Sequence, residues 1–327
     1  MTKRIIVTAV LFFCLVGAIF CSIKFFFEPK QPELGVTFSA AYAYGLGLDP
    51  REAYIAVLED LGVRKIRLPI YWSQIETEKG QYDWSLNDFF VNEAEKRGVE
   101  LILVIGNKVP RWPECYTPDW AEGLVGSETE AAVLNMEKTV VERYKDSPAV
   151  ERWQVENEPF FPFGICPSPS AELLDKEISL VKSLDNKPIM LTVSGELDPW
   201  IPSAKISDVL GISMYRVSYS PATGLMPYPL KPLVYRFRAM VAGLFTKEII
   251  ISELQAEPWF SEPINELSGE ERAEAFTSED LADNISFAKY AGFSEAYLWG
   301  VEWWYAEKEL GRTDLWTAGK LIFGNEK

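Results

Sequence analysis

The sequence of 327 residues contains no histidine. Without an imidazole the chain cannot build a Ser-His-Asp triad, a histidine-containing zinc site or a histidine general base. Proton transfer must therefore fall to Glu, Asp, Tyr, Lys or Cys. Positive charge is also scarce, because 32 Lys and Arg stand against 48 Asp and Glu and give a net charge of −16. Since such a surface repels phosphate backbones, nucleic acid is not an expected partner.

Cysteine is rare, with four residues in the chain. Cys14 and Cys21 lie in an apolar run, where small buried side chains are the expected state. Cys115 and Cys166 each follow a predicted strand. If the domain is exported, these two could form a disulfide between neighbouring loops; the alternative is a pair of free thiols, since sequence does not supply their separation. The sequence carries no metal-ligand motif.

The N-terminus predicts a membrane anchor. Lys3 and Arg4 precede residues 5–23, which are uncharged and mostly apolar. As a helix this run would be about 28 Å long, close to the thickness of a bilayer core. Positive charge before the span places the rest of the chain outside the cytoplasm. The expected organisation is an anchor over 1–27, a proline-bearing tether over 28–33 and one exported domain over 34–327, which would be secreted if the N-terminal segment were cleaved.

Apolar residues make up 48% of the chain, which is enough for a large core. Short β-branched runs recur eight times, at 34–39, 63–70, 99–105, 150–155, 188–194, 209–215, 248–253 and 296–301. Helix-like stretches separate most of them, at 51–61, 86–97, 128–144, 171–183, 233–244 and 270–291. This alternation predicts an α/β fold, a (β/α)8 barrel. An open doubly wound sheet would alternate in the same way, but no glycine-rich phosphate loop follows the first strand.

Two predicted strands have a glutamate at or just after their C-terminal end. The run 150–155 is followed by Asn157 and Glu158, and the run 248–253 ends at Glu253. In a parallel barrel the substrate binds where the strands end, so both carboxyls would face it. A pair of carboxyls in that position is typical of glycoside chemistry. Tryptophans in or after the strand ends offer flat faces on which sugars stack.

Three motifs carry a family resemblance: Arg67 with Trp72 in an Arg-x-x-x-x-Trp pattern, Gly-x-Tyr-Asp-Trp at 80–84, and Asn-Glu-Pro at 157–159. Over residues 35–304 the chain resembles the large clan of retaining (β/α)8 glycoside hydrolases whose catalytic glutamates end strands four and seven. Among these, the cellulase-like family 5 and its family 39 and 42 relatives are the most similar. The resemblance implies cleavage of a β-linked oligo- or polysaccharide with no cofactor and no obligatory protein partner.

The resemblance also implies roles by position. Glu158 would be the acid and base, and Glu253 the nucleophile. The implied substrate-binding residues are Arg67, Trp72, Asn107, Asn157, Tyr215 and Trp299. Within this set, Asn157 would contact the sugar 2-hydroxyl, Arg67 and Tyr215 would flank Glu253, and Trp299 would lie under the sugar.

The chain departs from family 5 at two places. Many members carry histidines after strand three and near the tyrosine of strand six, where this chain has Asn107, Lys108 and Ser213. The departure weakens a narrow cellulase interpretation and leaves both glutamates in place. The alternative function is a catalytically silent, glycan-binding barrel at the cell surface. Sequence favours the enzyme, because both carboxyls are retained.

Overall fold

The computed structural model describes residues 28–165, 169–220, 223–260 and 267–324. Its strands are β1 Glu33–Thr37, β2 Lys65–Pro69, β3 Glu100–Ile105, β4 Val150–Val155, β5 Ile189–Val193, β6 Val209–Met214, β7 Val217–Ser220, β8 Gly224–Pro227, β9 Glu248–Gln255 and β10 Glu295–Trp299. Eight of them form a closed parallel barrel in the order β1-β10-β9-β6-β5-β4-β3-β2. The predicted barrel is thus confirmed, and the open sheet is excluded because β1 and β10 pair along their whole length.

Helices lie between the strands on the outside of the barrel. They are α1 Ala40–Gly45, α2 Pro50–Ala56, α3 Trp72–Ile75, α4 Ser85–Arg97, α5 Ser127–Tyr144, α6 Ala171–Leu184, α7 Trp200–Ala204, α8 Pro232–Ala242, α9 Gly269–Ala275, α10 Ser278–Ala291, α11 Val301–Glu309 and α12 Asp314–Gly324. The helix predicted over 270–291 is two helices, because Thr277 caps α10 and breaks the run. The antiparallel β7–β8 hairpin was not predicted.

The strands read as near-continuous apolar runs because both of their faces are buried. Inside the barrel, a cluster fills the space between the strands: Ile102, Met190, Val209, Ile250 and Tyr297. A larger apolar shell lies between the barrel and its helices. This packing fixes the ends of the strands, where the polar side chains of the site lie.

No helix in the described part of the chain is long and apolar enough to span a bilayer. The predicted anchor over 1–27, with Cys14 and Cys21, lies outside the described residues. The tether at 28–33 leads directly into β1, which begins at Glu33. The division into anchor, tether and catalytic domain stays a prediction.

Gly35 of β1 offers a test of barrel packing. A Cβ at this position would lie 2.6 Å from the Lys65 carbonyl oxygen and 2.8 Å from the ring of Tyr297. We expect Gly35→Ala to lower the free energy of unfolding by about 1–3 kcal/mol, because the ring must leave its place in the barrel. Urea denaturation measures the change. Gly45→Ala is the control, since a Cβ there meets no atom within 4 Å, and equal stability of the two variants would contradict this account of the packing.

Candidate active site

Arg67 is the centre of the polar network at the barrel mouth. It has no exposed surface, and its guanidinium donates hydrogen bonds to three neighbours. Nε donates to Gln154 Oε1 at 2.7 Å, one terminal nitrogen donates to Glu253 Oε1 at 2.8 Å, and the other donates to Asn157 Oδ1 at 2.8 Å. A buried guanidinium needs such partners, because an unpaired charge in the interior is strongly unfavourable. One side chain of β2 therefore ties β4 to β9.

Glu253 has a second donor on its other carboxylate oxygen. Tyr215, which follows β6, donates its hydroxyl to Oε2 at 3.0 Å. Burial, followed by the charge of Glu253, raises the pKa of the Tyr215 phenol well above its usual value. The phenol therefore stays protonated and acts as a donor. Glu253 is consequently held by a cation on one oxygen and a hydroxyl on the other.

Glu158 lies in a different environment. Its backbone N–H donates to Thr192 Oγ1 at 2.8 Å, and its carbonyl accepts from Lys108 Nζ at 2.9 Å. The backbone of Glu158 has φ of 43°, which is uncommon for a residue with a side chain and is typical of functional sites. Burial is the main cause that raises the pKa of Glu158 well above its usual value, and the charges of Glu253 and Glu114 add to it.

Glu156 anchors the loop that follows β3. Its carboxylate accepts from the backbone N–H groups of Asn107 at 2.9 Å and Lys108 at 2.6 Å. Gly106, with φ of 125°, precedes them, and a Cβ there would lie 2.6 Å from the Glu156 carboxyl carbon. Only glycine allows this approach. Lys108 is thereby positioned beneath the backbone of Glu158.

Glu114 is a third carboxyl at the mouth. It is 5% exposed, accepts from Asn157 Nδ2 at 3.3 Å, and lies 3.4 Å from Lys108 Nζ. Burial raises its pKa to about 7; the nearby Lys108 charge lowers it, and the charge of Glu253 raises it. Asn157 is therefore held on both sides, by Arg67 at its oxygen and by Glu114 at its nitrogen. Sequence analysis did not identify Glu114.

Arg111 connects Trp299 to a second pair of acids. Its guanidinium carbon lies 4.0 Å from the centroid of the Trp299 ring and 3.8 Å from that of Tyr42. It forms ion pairs with Glu257 and Glu302. The guanidinium therefore covers one face of Trp299, which is only 9% exposed.

The structure brings together three of the six predicted binding residues, Arg67, Asn157 and Tyr215, in the network around Glu253; Trp299 lies at the end of β10, against Arg111. Trp72 is a correction, because it has no exposed surface and donates its indole N–H to Glu76 Oε2 at 2.7 Å. It packs edge-on against Trp120 in the core. Its motif position follows β2, but α3 begins at Trp72 and turns the ring inward.

Asn107 is used within its own loop. Its side-chain oxygen accepts from Thr117 at 2.8 Å, and its amide lies 3.6 Å from Cys115 Sγ. The described contacts of the side chain are therefore with the loop and not with Glu158 or Glu253.

Cys115 is disulfide-bonded. Cys166 lies outside the described residues, so the Cys115–Cys166 pairing stays a prediction.

Five residues that contact the site were not predicted to have a role in it: Lys108, Arg111, Glu114, Gln154 and Thr192. Thr192 had a usable signal, because it is the one polar residue of the apolar strand β5; Gln154 had a weaker one, because β4 also contains Glu151 and Arg152. Lys108, Arg111 and Glu114 had none, because their positions depend on the path of an irregular loop.

Aromatic side chains form a path from the site to the rim. The ring of Trp259 lies 6.1 Å from that of Tyr215 and 6.4 Å from that of Phe163. Phe163 lies 6.0 Å from Trp112, which is 64% exposed. Flat apolar rings in this arrangement are suited to the C–H faces of sugars.

Comparison with known proteins gives local sequence similarity and a shared fold. No family model matches the chain. Residues of the chain are 34% identical over 110 positions to a probable mannan endo-1,4-beta-mannosidase A-1 of Aspergillus terreus, covering 31% of this chain and 27% of the relative. They are 24% identical over 192 positions to mannan endo-1,4-beta-mannosidase 1 of Solanum lycopersicum, covering 49% and 48%. The chain thus spans about a quarter to a half of the length of these relatives.

Solved structures extend the comparison to the whole barrel. The GH5_18 structure from Streptomyces cattleya in complex with GlcNAc aligns with a TM-score of 0.54 at 13% identity, over 83% of this chain and 71% of the other. A family 39 glycoside hydrolase from Bacteroides cellulosilyticus WH2 aligns with a TM-score of 0.53 at 17% identity, over 82% and 56%. The predicted resemblance to (β/α)8 glycoside hydrolases is confirmed: relatives that match part of the chain are named as mannan endo-1,4-beta-mannosidases, and the solved glycoside hydrolases share its barrel fold.

A group of three buried glutamates lies behind the site, on β4's end and the adjoining helices α5 and α6. They are Glu156, Glu137 and Glu177; within the described chain both carboxylate oxygens of Glu137 lack a hydrogen-bond partner, whereas Glu177 lies within hydrogen-bonding reach of Glu156. Burial, then the charge of Glu156, raises the pKa of Glu137 well above its usual value, and burial raises that of Glu156 to about 7.

These carboxyls predict a loss of stability as pH rises. Their pKa in the folded state exceeds the unfolded value of about 4.3, so the folded state binds more protons. The contribution of these carboxyls to the free energy of unfolding is fully present below about pH 4.3 and is lost as pH rises through about 7. We expect Tm to fall on the order of 5 °C between pH 5 and pH 8.

Glu137→Gln tests the cause, because it removes a buried ionisable group and should flatten the dependence of Tm on pH. Differential scanning calorimetry at several pH values provides the measurement. Glu142→Gln, an exposed change on the same helix, is the control and should keep the parental slope. A parental slope in Glu137→Gln as well would show that this group does not produce the effect.

Proposed function

We propose that the chain is a retaining glycosidase that cleaves a β-linked glycan, with Glu158 as acid and base and Glu253 as nucleophile. The supporting observation is the contrast between the two carboxyls. Glu253 accepts from Arg67 and Tyr215, whereas burial and the charge of Glu253 raise the pKa of Glu158. A pair of carboxyls in unlike environments is what an acid and a nucleophile need.

The reaction would proceed by two displacements. Glu253 attacks the anomeric carbon while Glu158 gives its proton to the departing glycosidic oxygen, which forms a glycosyl ester on Glu253. Glu158, now ionised, takes a proton from water, and that water attacks the anomeric carbon and releases Glu253. Asn157, fixed by Arg67 and Glu114, would contact the 2-hydroxyl with its remaining amide hydrogen.

For the substrate, the mannanase relatives favour a β-1,4-linked mannan. Trp299 and the aromatic path from Tyr215 to Trp112 would provide stacking surfaces for several sugar units.

We also propose that residues 5–23 anchor the domain to a membrane with the barrel outside the cytoplasm, because this run is uncharged, long enough to span a bilayer, and preceded by Lys3 and Arg4.

The first test traps the intermediate. A panel of activated 2-deoxy-2-fluoro β-mannoside, β-glucoside and β-xyloside should label Glu253 alone, because the fluorine slows both oxocarbenium-like steps while the activated leaving group restores only the formation of the ester. Intact mass and peptide mapping give the readout, with Glu253→Gln as the unlabelled control. A label on another carboxyl would refute the assignment.

The Glu158→Gln variant separates an enzyme from a silent glycan-binding barrel. We expect turnover of an unactivated glycan to fall about 10²- to 10⁴-fold while glycan affinity is kept, because only the proton donor is lost. Substrates with an acidic phenol as leaving group should lose less, since they need little protonation. Steady-state kinetics and calorimetric titration measure the two quantities. A binding protein would show no turnover in the parent chain and unchanged affinity in the variant.

Glu114→Gln tests whether the charge of the third carboxyl raises the pKa of Glu158. Removing a negative neighbour should lower the pKa of Glu158 and shift the alkaline limb of kcat/KM to lower pH, by up to about one pH unit. The amide oxygen can still accept from Asn157. The full pH profile is compared with that of Glu142→Gln. A uniform loss of activity with an unmoved limb would mean that Glu114 acts through structure alone.

A further inference from the structure

Helix α8 exposes an apolar face to the surroundings. Leu233, Phe237 and Met240 of α8, spaced four and three residues apart, form one stripe that Leu244 continues in the turn after the helix, and each of the four is at least 45% exposed. The opposite face is anchored, with Tyr235 fully buried. Outer helices of a soluble barrel normally place charges at such positions. Helix α5 does so with Glu128, Lys138 and Glu142, among others.

No charged side chain of α8 interrupts the stripe. Its two arginines bond to backbone carbonyls: Arg236 donates to those of Tyr290 and Glu28, and Arg238 donates to that of Gly195. Lys231 lies exposed directly before the helix, whereas Lys247, exposed five residues beyond its end, pairs with Asp208 at 3.0 Å. A lysine placed like Lys231 can extend to headgroups while the apolar side chains beside it enter an interface.

The charge of this region is opposite to that of the whole chain. Residues 209–247 contain five Lys or Arg and no Asp or Glu, in a chain whose net charge is −16. An acid-free segment of this length presents its apolar face without the repulsion that acidic side chains would meet at an anionic lipid surface. The composition thus distinguishes this side of the barrel from the others.

The chain enters the domain beside this helix. Arg236 of α8 donates to the carbonyl of Glu28, and the backbone N–H of Lys30 donates to the Lys289 carbonyl of α10 at 3.0 Å. Residue 28 directly follows the Phe25–Phe27 cluster and the uncharged run of residues 5–23. Any bilayer that holds this run is therefore only a few residues away from α8.

We propose that the apolar stripe of α8 rests on the surface of the bilayer into which residues 5–23 insert. The inference rests on the proposed membrane anchoring and adds an orientation to it. Helix α8 runs along the side of the barrel, so the side between β6 and β9 faces the lipid. The mouth that holds Glu158 and Glu253 then opens along the membrane surface.

A photocrosslinking experiment on the full chain tests the contact. Phe237, 58% exposed, is replaced by p-benzoylphenylalanine, and Tyr44, 57% exposed on α1, receives the same residue as the matched control. Both variants are reconstituted in vesicles of phosphatidylethanolamine and phosphatidylglycerol and irradiated, and mass spectrometry identifies the adducts. We expect a phospholipid adduct at position 237 that exceeds the one at position 44 several-fold.

Three outcomes would overturn the docking: a crosslinked dimer, an adduct to the peptide of residues 1–27, or lipid labelling at 237 no greater than at 44. The first would show a second copy on the stripe, and the second would show the chain's own N-terminal segment there. Carbonate washing of the vesicles before irradiation tests anchoring separately, because a chain that is washed off would refute the anchor itself. Activity of each variant before reconstitution verifies that the barrel is folded.

Discussion

The buried guanidinium of Arg67 is the interaction on which the site depends. A charge with no exposed surface is tolerable only when its hydrogen-bond donors find partners, and here the partners come from two other barrel strands. Gln154 and Asn157 belong to β4 and its end, and Glu253 belongs to β9. The closed barrel brings these strand ends together at the mouth, so closure of the sheet and assembly of the site are a single structural event.

Arg67 also accounts for the asymmetry of the two carboxyls. It lies against Glu253 and reaches Glu158 only through the backbone around Asn157, so the nearest positive charge favours one carboxylate. The ammonium of Lys108 donates to the backbone carbonyls of Glu158 and Phe161. Burial and the negative charges of Glu253 and Glu114 together raise the pKa of Glu158.

Sequence predicted the barrel well because each strand carries its own signal: a β-branched run with both faces buried. β4 at Val150–Val155 matches its predicted limits, and β6 differs by one residue. Side chains in regular strands were found for the same reason, among them Arg67 and Glu253. Trp72 failed because a single helical turn after β2 reverses its direction. Arg111 and Glu114 were beyond reach, since φ values of 83° and 71° place them on a loop path that no local pattern encodes.

In a chain without histidine, buried glutamates are the side chains whose pKa lies near neutral pH. Histidine is the side chain that normally titrates near neutral pH, and this chain has none. Burial instead raises the pKa of Glu114, Glu156, Glu196 and Glu302 to about 7. Groups of this kind favour the protonated, folded state at acidic pH and weaken it at alkaline pH. We therefore expect buried carboxyls to carry the pH response of the molecule, and the same burial raises the pKa of Glu158.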